Sequence, residues 1–241
     1  MVYIKNISYS YSAKNQIKQK LILDNISFDI NDGEFVSILG RSGCGKTTLV
    51  NIIAGYLIAE NGKILINNSE VKKPGKNRIV VNQENDLFDW MTVEENLRLV
   101  SSDQKAIDKY LDLVGLHDVK KYFPNDLSGG MKKRLSLARA LVVNPNFLIL
   151  DEPFASLDHR TREELHLELA KIFSVTKKTT LLVTHDLDEA IFFSDRIIIL
   201  SGKPASILNE LNINLPHPRN LDVKNIKTFT EFKNKIKNIY V

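Results

Sequence analysis

The string Gly40-Arg-Ser-Gly-Cys-Gly-Lys-Thr47 constrains this chain more than any other part of it. It has the form G-x-x-x-x-G-K-T, a loop whose backbone N–H groups close around phosphate oxygens. Such a loop needs a strand that ends and a helix that begins on either side of it, and the flanks supply both. Phe35-Val-Ser-Ile-Leu39 is apolar and β-branched, as a buried strand is. From Thr47 onward, Leu49, Val50, Ile52 and Ile53 make a helix whose positive N-terminal end faces the same phosphates. Within the loop, Gly40, Gly43 and Gly45 leave room for the ligand, and Arg41, Ser42 and Cys44 complete the arc. Lys46 is placed to reach the β and γ phosphates, Thr47 to offer its hydroxyl to Mg²⁺, and Thr48 to continue the nucleotide contact. The competing reading is a plain glycine turn with a solvated lysine. It is disfavoured because strand, loop and helix fall in the required order.

A second apolar run, Phe147-Leu-Ile-Leu, ends abruptly in Asp151 and Glu152. Carboxylates at the C-terminal edge of a buried strand sit where ligands collect in open α/β sheets. Asp151 is then the Mg²⁺ partner and Glu152 the general base that polarises the attacking water. Read alone, the two acids could equally be a surface turn before Pro153.

With these strings in place, the chain resembles the ABC transporter ATPase family from about Val2 to Asn220. Leu127-Ser128-Gly129-Gly130 matches the family's signature, and Gln83 its Q-loop glutamine, which senses the γ-phosphate and Mg²⁺. Thr184-His185-Asp186 carries the switch histidine, and Ser156-Leu157-Asp158 resembles the D-loop. Tyr11 is similar to the aromatic that stacks on adenine; Tyr9 is the alternative, and Tyr11 is preferred. Met131 stands where many relatives carry Gln, and Asn82 where an aromatic is more usual; neither position supplies catalytic atoms. The resemblance implies an α/β fold, a P-loop NTPase (RecA-like) core with an N-terminal antiparallel β part and an inserted α-helical subdomain. Residues 1–85 and 145–210 would be the nucleotide-binding core, 86–144 the helical and signature part, and 211–241 a basic tail. It also implies ATP and Mg²⁺ as cofactors and a catalytic set of Glu152, His185 and Gln83. Thr47, Gln83 and Asp151 would face the metal. Ser128, Gly129, Gly130 and Asp158 would contact ATP held by a second copy, so that a homodimer closes on two ATP molecules. Permease subunits, and a substrate-binding protein, would complete the machine.

Composition bounds this further. At 241 residues there is room for one cassette with a large core. No apolar run approaches the roughly 18 residues that a membrane span needs, and the first residues lack the order of regions found in signal peptides. The expectation is a cytoplasmic subunit lying on the inner face of the membrane. The net charge of +4 resides in the segment after Leu215, which carries six Lys/Arg against two acids; the rest is balanced. No broad basic face for nucleic acid is expected. In that tail Val223, Ile226, Phe229, Phe232, Ile236 and Ile239 recur at threes and fours, which reads as one amphipathic helix. Docking on its own domain is the preferred reading; a partner or an anionic membrane surface is the alternative. Thr92-Val-Glu-Glu95 forms a capping box that opens the helical insert.

The lone cysteine, Cys44, lies inside the phosphate loop. Its complete alkylation is expected to block ATP binding, and full ATPase activity of the alkylated protein would contradict that assignment. The branch is suggested by Asp89-Trp90, in a segment similar to that of importers for nitrate, sulfonates and taurine, and by Leu215-Pro-His-Pro-Arg219. Trp90 is there either a partner-facing residue or an aromatic packed on its own subdomain. The competing functions are an exporter subunit and a soluble ABC ATPase acting on DNA or the ribosome. The second usually needs two cassettes, a long coiled-coil insertion or a basic arm, none of which the sequence shows.

Overall fold

The computed structural model describes residues 1–11, 20–84, 86–155 and 157–240. Four strands build an antiparallel sheet: β1 (Val2–Tyr11), β2 (Lys20–Ile30), β4 (Asn61–Ile66) and β5 (Ser69–Glu70), in the order β2-β1-β4-β5. Six more form a second sheet. They are β3 (Phe35–Leu39), β6 (Arg78–Val81), β7 (Phe147–Asp151), β8 (Thr179–Thr184), β9 (Arg196–Leu200) and β10 (Ile207–Asn212). Their order is β10-β9-β3-β8-β7-β6, parallel throughout except for β10 at one edge.

Strands β3, β7 and β9 of this sheet are apolar at nearly every position because both faces are covered there. Alternate residues enter different cores. Val36, Ile38, Phe147, Ile149, Leu181, Val183, Ile198 and Leu200 face the antiparallel sheet and helix α1 (Lys46–Ala54). Phe35, Leu39, Leu148, Leu150, Leu182, Ile197 and Ile199 face the other way. There they meet α4 (Gly129–Val142), α5 (His159–Thr176) and α6 (Leu187–Phe193). Between β6 and β7 the chain runs through α2 (Val93–Arg98), α3 (Gln104–Leu113) and α4, packed together by Val93, Leu97, Ile107, Leu111 and Leu135. The capping box is formed: Thr92 Oγ1 accepts from Glu95 N, and Glu95 accepts from Thr92 N at 2.7 Å.

Gly62 shows where the antiparallel sheet depends on glycine. Its φ is +84°, and a Cβ there would collide with the carbonyls of Lys5 and Asn6 on β1. Gly62→Ala is therefore expected to cost about 3 kcal/mol. The unfolding temperature measured by calorimetry should fall by about 5–10 °C.

The tail departs from the expectation of one helix. Residues Leu221–Asn225 form a 3₁₀ turn, Ile226 is extended, and α7 spans Lys227–Tyr240. Spacing by three suits a 3₁₀ turn as well as an α-helix, so periodicity alone bridges the break. Docking on its own domain holds: Val223, Phe229 and Ile236 are buried in the helix-side core, with Phe232 and Ile239 packed against it. Ile226 falls between the two pieces and is 41 % exposed. The charge stripe is tied down by Lys233 to Asp188 of α6 at 2.7 Å and Lys224 to Glu163 of α5 at 2.9 Å.

Candidate functional site

The parallel strands all end on the same edge of the sheet. Leu39 leads into the phosphate loop, Asp151 and Glu152 close β7, Thr184 and His185 follow β8, and Gln83 follows β6. The crevice beyond these ends is the place where doubly wound sheets bind ligands.

A cavity of about 300 Å³ opens there, lined by Tyr11, Ile22, Ser42, Gly43, Gly45, Lys46, Thr47, Thr48, Glu152 and Lys203. Gly45, with φ +122°, is the N-cap of α1; a Cβ there would press on Leu23 at 3.0 Å and Ile22 at 3.1 Å. Because a glycine caps the helix, no side chain takes the first N–H groups of α1. Those donors and the helix dipole are open to an anion. Lys46 is buried, and its Nζ donates to the carbonyl of Gly40 at 2.8 Å and lies 3.3 Å from Glu152 Oε1. Tyr11 is 46 % exposed at the cavity, with its hydroxyl 3.5 Å from Thr48 Oγ1. Tyr9 packs edge-on against Tyr11, centroids 5.1 Å apart, and is not among the lining residues.

Glu152 stands between Lys46 and His185. Its Oε2 is 3.2 Å from His185 Nδ1 while Oε1 faces Lys46, so one carboxylate joins the phosphate loop to the end of β8. Its φ is +46°, the left-handed region that a non-glycine residue enters at a cost. The bond from Glu152 N to Val183 O at 2.8 Å holds the backbone in that state. Beside it, burial and the neighbouring Glu152 charge push the Asp151 carboxyl up to about 6, with Lys46 opposing. Asp151 Oδ1 is buried and has no hydrogen-bond partner. A buried, unpartnered carboxylate oxygen next to a phosphate loop suits a hydrated divalent cation, a hard ion that prefers oxygen ligands. Asp151 therefore fits Mg²⁺, and Thr47, which lines the cavity, offers a hydroxyl oxygen of the same hard-donor class.

Other sequence-derived positions lie elsewhere. Ser128 is the N-cap of α4, its Oγ accepting from Met131 N at 3.2 Å, and Ser128 and Gly129 are exposed. Asp158 caps α5 through Thr161 N at 3.1 Å, and the bonds from Thr161 hold its carboxyl below the usual range. None of Ser128, Gly129, Gly130 and Asp158 lines the cavity, so one copy of the chain does not bring signature and phosphate loop together. Ser156 lies outside the described residues, as do Ser12 to Gln19 of the segment after Tyr11. Gln83 is exposed and also stands off the cavity. Trp90 is 72 % exposed, touching Phe88 edge-on at 5.2 Å, so it is not packed into its own subdomain.

Sequence reading missed Lys203. It lines the cavity, and a Cβ placed at Gly43 would lie 3.4 Å from its Nζ. The only sequence cue was its place in the turn after a parallel strand. Cys44 brings a refinement: it is 2 % exposed, in the core beneath the loop, and a Cβ at Gly40 would lie 2.7 Å from its Sγ. Alkylation thus requires the loop to open. The native thiol should react with iodoacetamide at least ~10-fold more slowly than in urea, read by mass spectrometry; equal rates would contradict this packing.

Comparison with known proteins gives a consistent picture. The model of the ABC transporter family matches residues 23–155. The aliphatic sulfonates import ATP-binding protein SsuB of Bacillus cereus is 41 % identical over 243 residues, covering 98 % of this chain and 94 % of the relative. An uncharacterized ABC transporter ATP-binding protein of Methanocaldococcus jannaschii, MJ0412, is 41 % identical over 90 % of this chain and 83 % of its own length. Among solved structures, the dimeric post-hydrolysis state of the ATP-binding cassette MJ0796, bound to ADP and Pi, superposes with a TM-score of 0.74. It is 30 % identical, and the match covers 90 % of this chain and all of that one.

Proposed function

The chain belongs to the ABC transporter family, and from that premise we propose that it is the ATP-hydrolysing subunit of an importer for small anions of the aliphatic sulfonate type. The observation that carries the reading is Glu152, held between Lys46 and His185 at the mouth of a phosphate-loop cavity. Sequence similarity to sulfonate import subunits over almost the whole length supports the branch.

The residues divide the work as follows. The amides from Gly40 to Thr48 and the Lys46 ammonium bind and orient the phosphates. Tyr11 stacks on the base; its place at the cavity supports it over Tyr9. Thr47 and Asp151, with Gln83, would hold Mg²⁺, which would supply charge neutralisation at the phosphoryl group when bound. Glu152 Oε2 accepts the proton of the attacking water, and His185 orients Glu152 and faces the γ-phosphate. Ser128, Gly129, Gly130 and Asp158 close on the ATP held by a second copy. The exposure of Ser128, Gly129 and Asp158 at helix N-termini, together with the dimeric state of MJ0796, supports that reading. In this arrangement 1–85 and 145–210 act as the nucleotide-binding core, 86–144 as the helical and signature part and 211–241 as the tail. The exposed ring of Trp90 lies on the surface offered to a permease. No described helix is long and apolar enough to cross a membrane. The similarity to import ATP-binding proteins supports assigning the pathway to permease subunits, with this chain on their cytoplasmic side. A substrate-binding protein would deliver the solute.

Deleting the gene should abolish growth on an alkanesulfonate as sole sulfur source while growth on sulfate continues. Unchanged growth on both would refute the sulfonate assignment. Loss of ATPase activity in His185→Ala, without loss of ATP binding, tests the site independently.

A further inference from the structure

Helix α4 does more than carry the signature at its tip. Lys133, one turn in from Ser128, is 4 % exposed. Its Nζ donates to the carbonyl of Asn82 at 3.1 Å and to that of Gln83. These are the first residues beyond β6, some fifty positions earlier in the chain. Further along the same helix Arg139 lies over the Phe88 ring, 5.7 Å from its centroid. Asn96 of α2 takes the next stretch: its Oδ1 accepts from Phe88 N at 3.0 Å, and its Nδ2 donates to the carbonyls of Phe88 and Met91. Phe88 in turn touches Trp90. Among the described residues, the path from Gln83 to Trp90 is thus gripped by α4 at both ends.

A buried ammonium is a costly way to fill space, since desolvation penalises the charge and an apolar chain of equal length would pack without it. What Lys133 supplies that methionine cannot is a pair of directed bonds to the backbone carbonyls of Asn82 and Gln83. We propose that Lys133 is a positioning residue, tethering the Gln83 segment to the signature helix so that movement of α4 sets the position of Gln83 and of Trp90 together. The proposal rests on the ATPase reading above. Closure of a second copy on Ser128 would then be transmitted to the surface around Trp90 through two hydrogen bonds rather than through general packing.

The experiment uses the full chain as wild type, Lys133→Met, Lys133→Arg, Gln83→Ala and the Lys133→Met/Gln83→Ala double variant. Trp90 is the single tryptophan, so intrinsic fluorescence reports this segment alone. Lys133→Met is expected to stay folded, with kcat about 10-fold lower and KM for ATP within about 3-fold. Its Trp90 emission and acrylamide quenching should change even without nucleotide, and Lys133→Arg should recover most of both. The double variant should lose little more than Gln83→Ala, because the two changes break one linkage. Wild-type kcat together with wild-type Trp90 quenching in Lys133→Met would overturn the tether. So would losses that simply multiply in the double variant. A wild-type chain without ATPase activity would instead sink the enzymatic reading; an altered Trp90 signal in Lys133→Met would still reveal the physical linkage.

Discussion

Glu152→Gln should purify as a folded chain that binds MgATP, hydrolyses it at least ~100-fold more slowly than wild type, and accumulates as a dimer in ATP. General-base assistance contributes roughly 10²- to 10⁴-fold, so losing the proton acceptor alone accounts for the rate. Folding is spared because glutamine keeps the shape, and the backbone at φ +46° is held by the Val183 carbonyl rather than by the side chain. Two electrostatic effects favour the bound state. The change removes a negative charge from the mouth of a phosphate site, and it removes one of the two causes that raise the Asp151 carboxyl. Light scattering on the eluting protein would check this. A monomer with verified ATP binding would mean that the composite site needs the permease, and a wild-type rate would mean that another group is the base.

Lys46→Ala should fail earlier, at binding. The ammonium is buried at the loop and is the cation beside Glu152, so its removal costs the phosphate contact and leaves that carboxylate facing an incoming anion alone. Truncating one partner of a buried charge pair costs about 2–5 kcal/mol. At 1.4 kcal/mol per factor of ten, the dissociation constant for ATP should rise by at least about 30-fold. Calorimetric titration with MgATP decides it: a constant within threefold of wild type would remove Lys46 from the phosphate site. The two variants separate affinity from rate in one cavity, which no general destabilisation can mimic.

How much of this was legible beforehand depended on sequence distance. The strand, loop and helix around Lys46 could be read because all of their constraints lie within some twenty consecutive residues, and hydrophobic period and glycine placement agree there. The carboxylates after Phe147-Leu-Ile-Leu were legible for the same reason. Lys203 was not, because its approach to Gly43 is set by β9 lying beside β3, a pairing no local pattern specifies. Lys133 was hidden by a different fact: on a helix, a lysine reads as a solvated face unless the facing loop is known to present carbonyls. The broken tail shows the limit of periodicity itself, since Val223 and Phe229 reach one core from two different backbone conformations.

Arg219 carries a consequence for how the molecule is made. Its buried guanidinium donates to the carbonyls of Ile191, Phe192 and Ser194, where α6 ends, and to those of Ile213 and Leu215. Burial lowers its pKa to about 10, with Asp195 opposing. The helix that follows His185 is thus finished by a residue translated some twenty-five positions later. On a ribosome adding about 5–20 residues per second, the nascent chain holds its phosphate loop and both carboxylates before α6 has its last partner. A message cut short before the codon for Arg219 would release a polypeptide with every motif of the nucleotide site and no lock on the helix behind its histidine. Such a product should be degraded rather than active, so the integrity of the catalytic edge is tested only once Arg219 has been made.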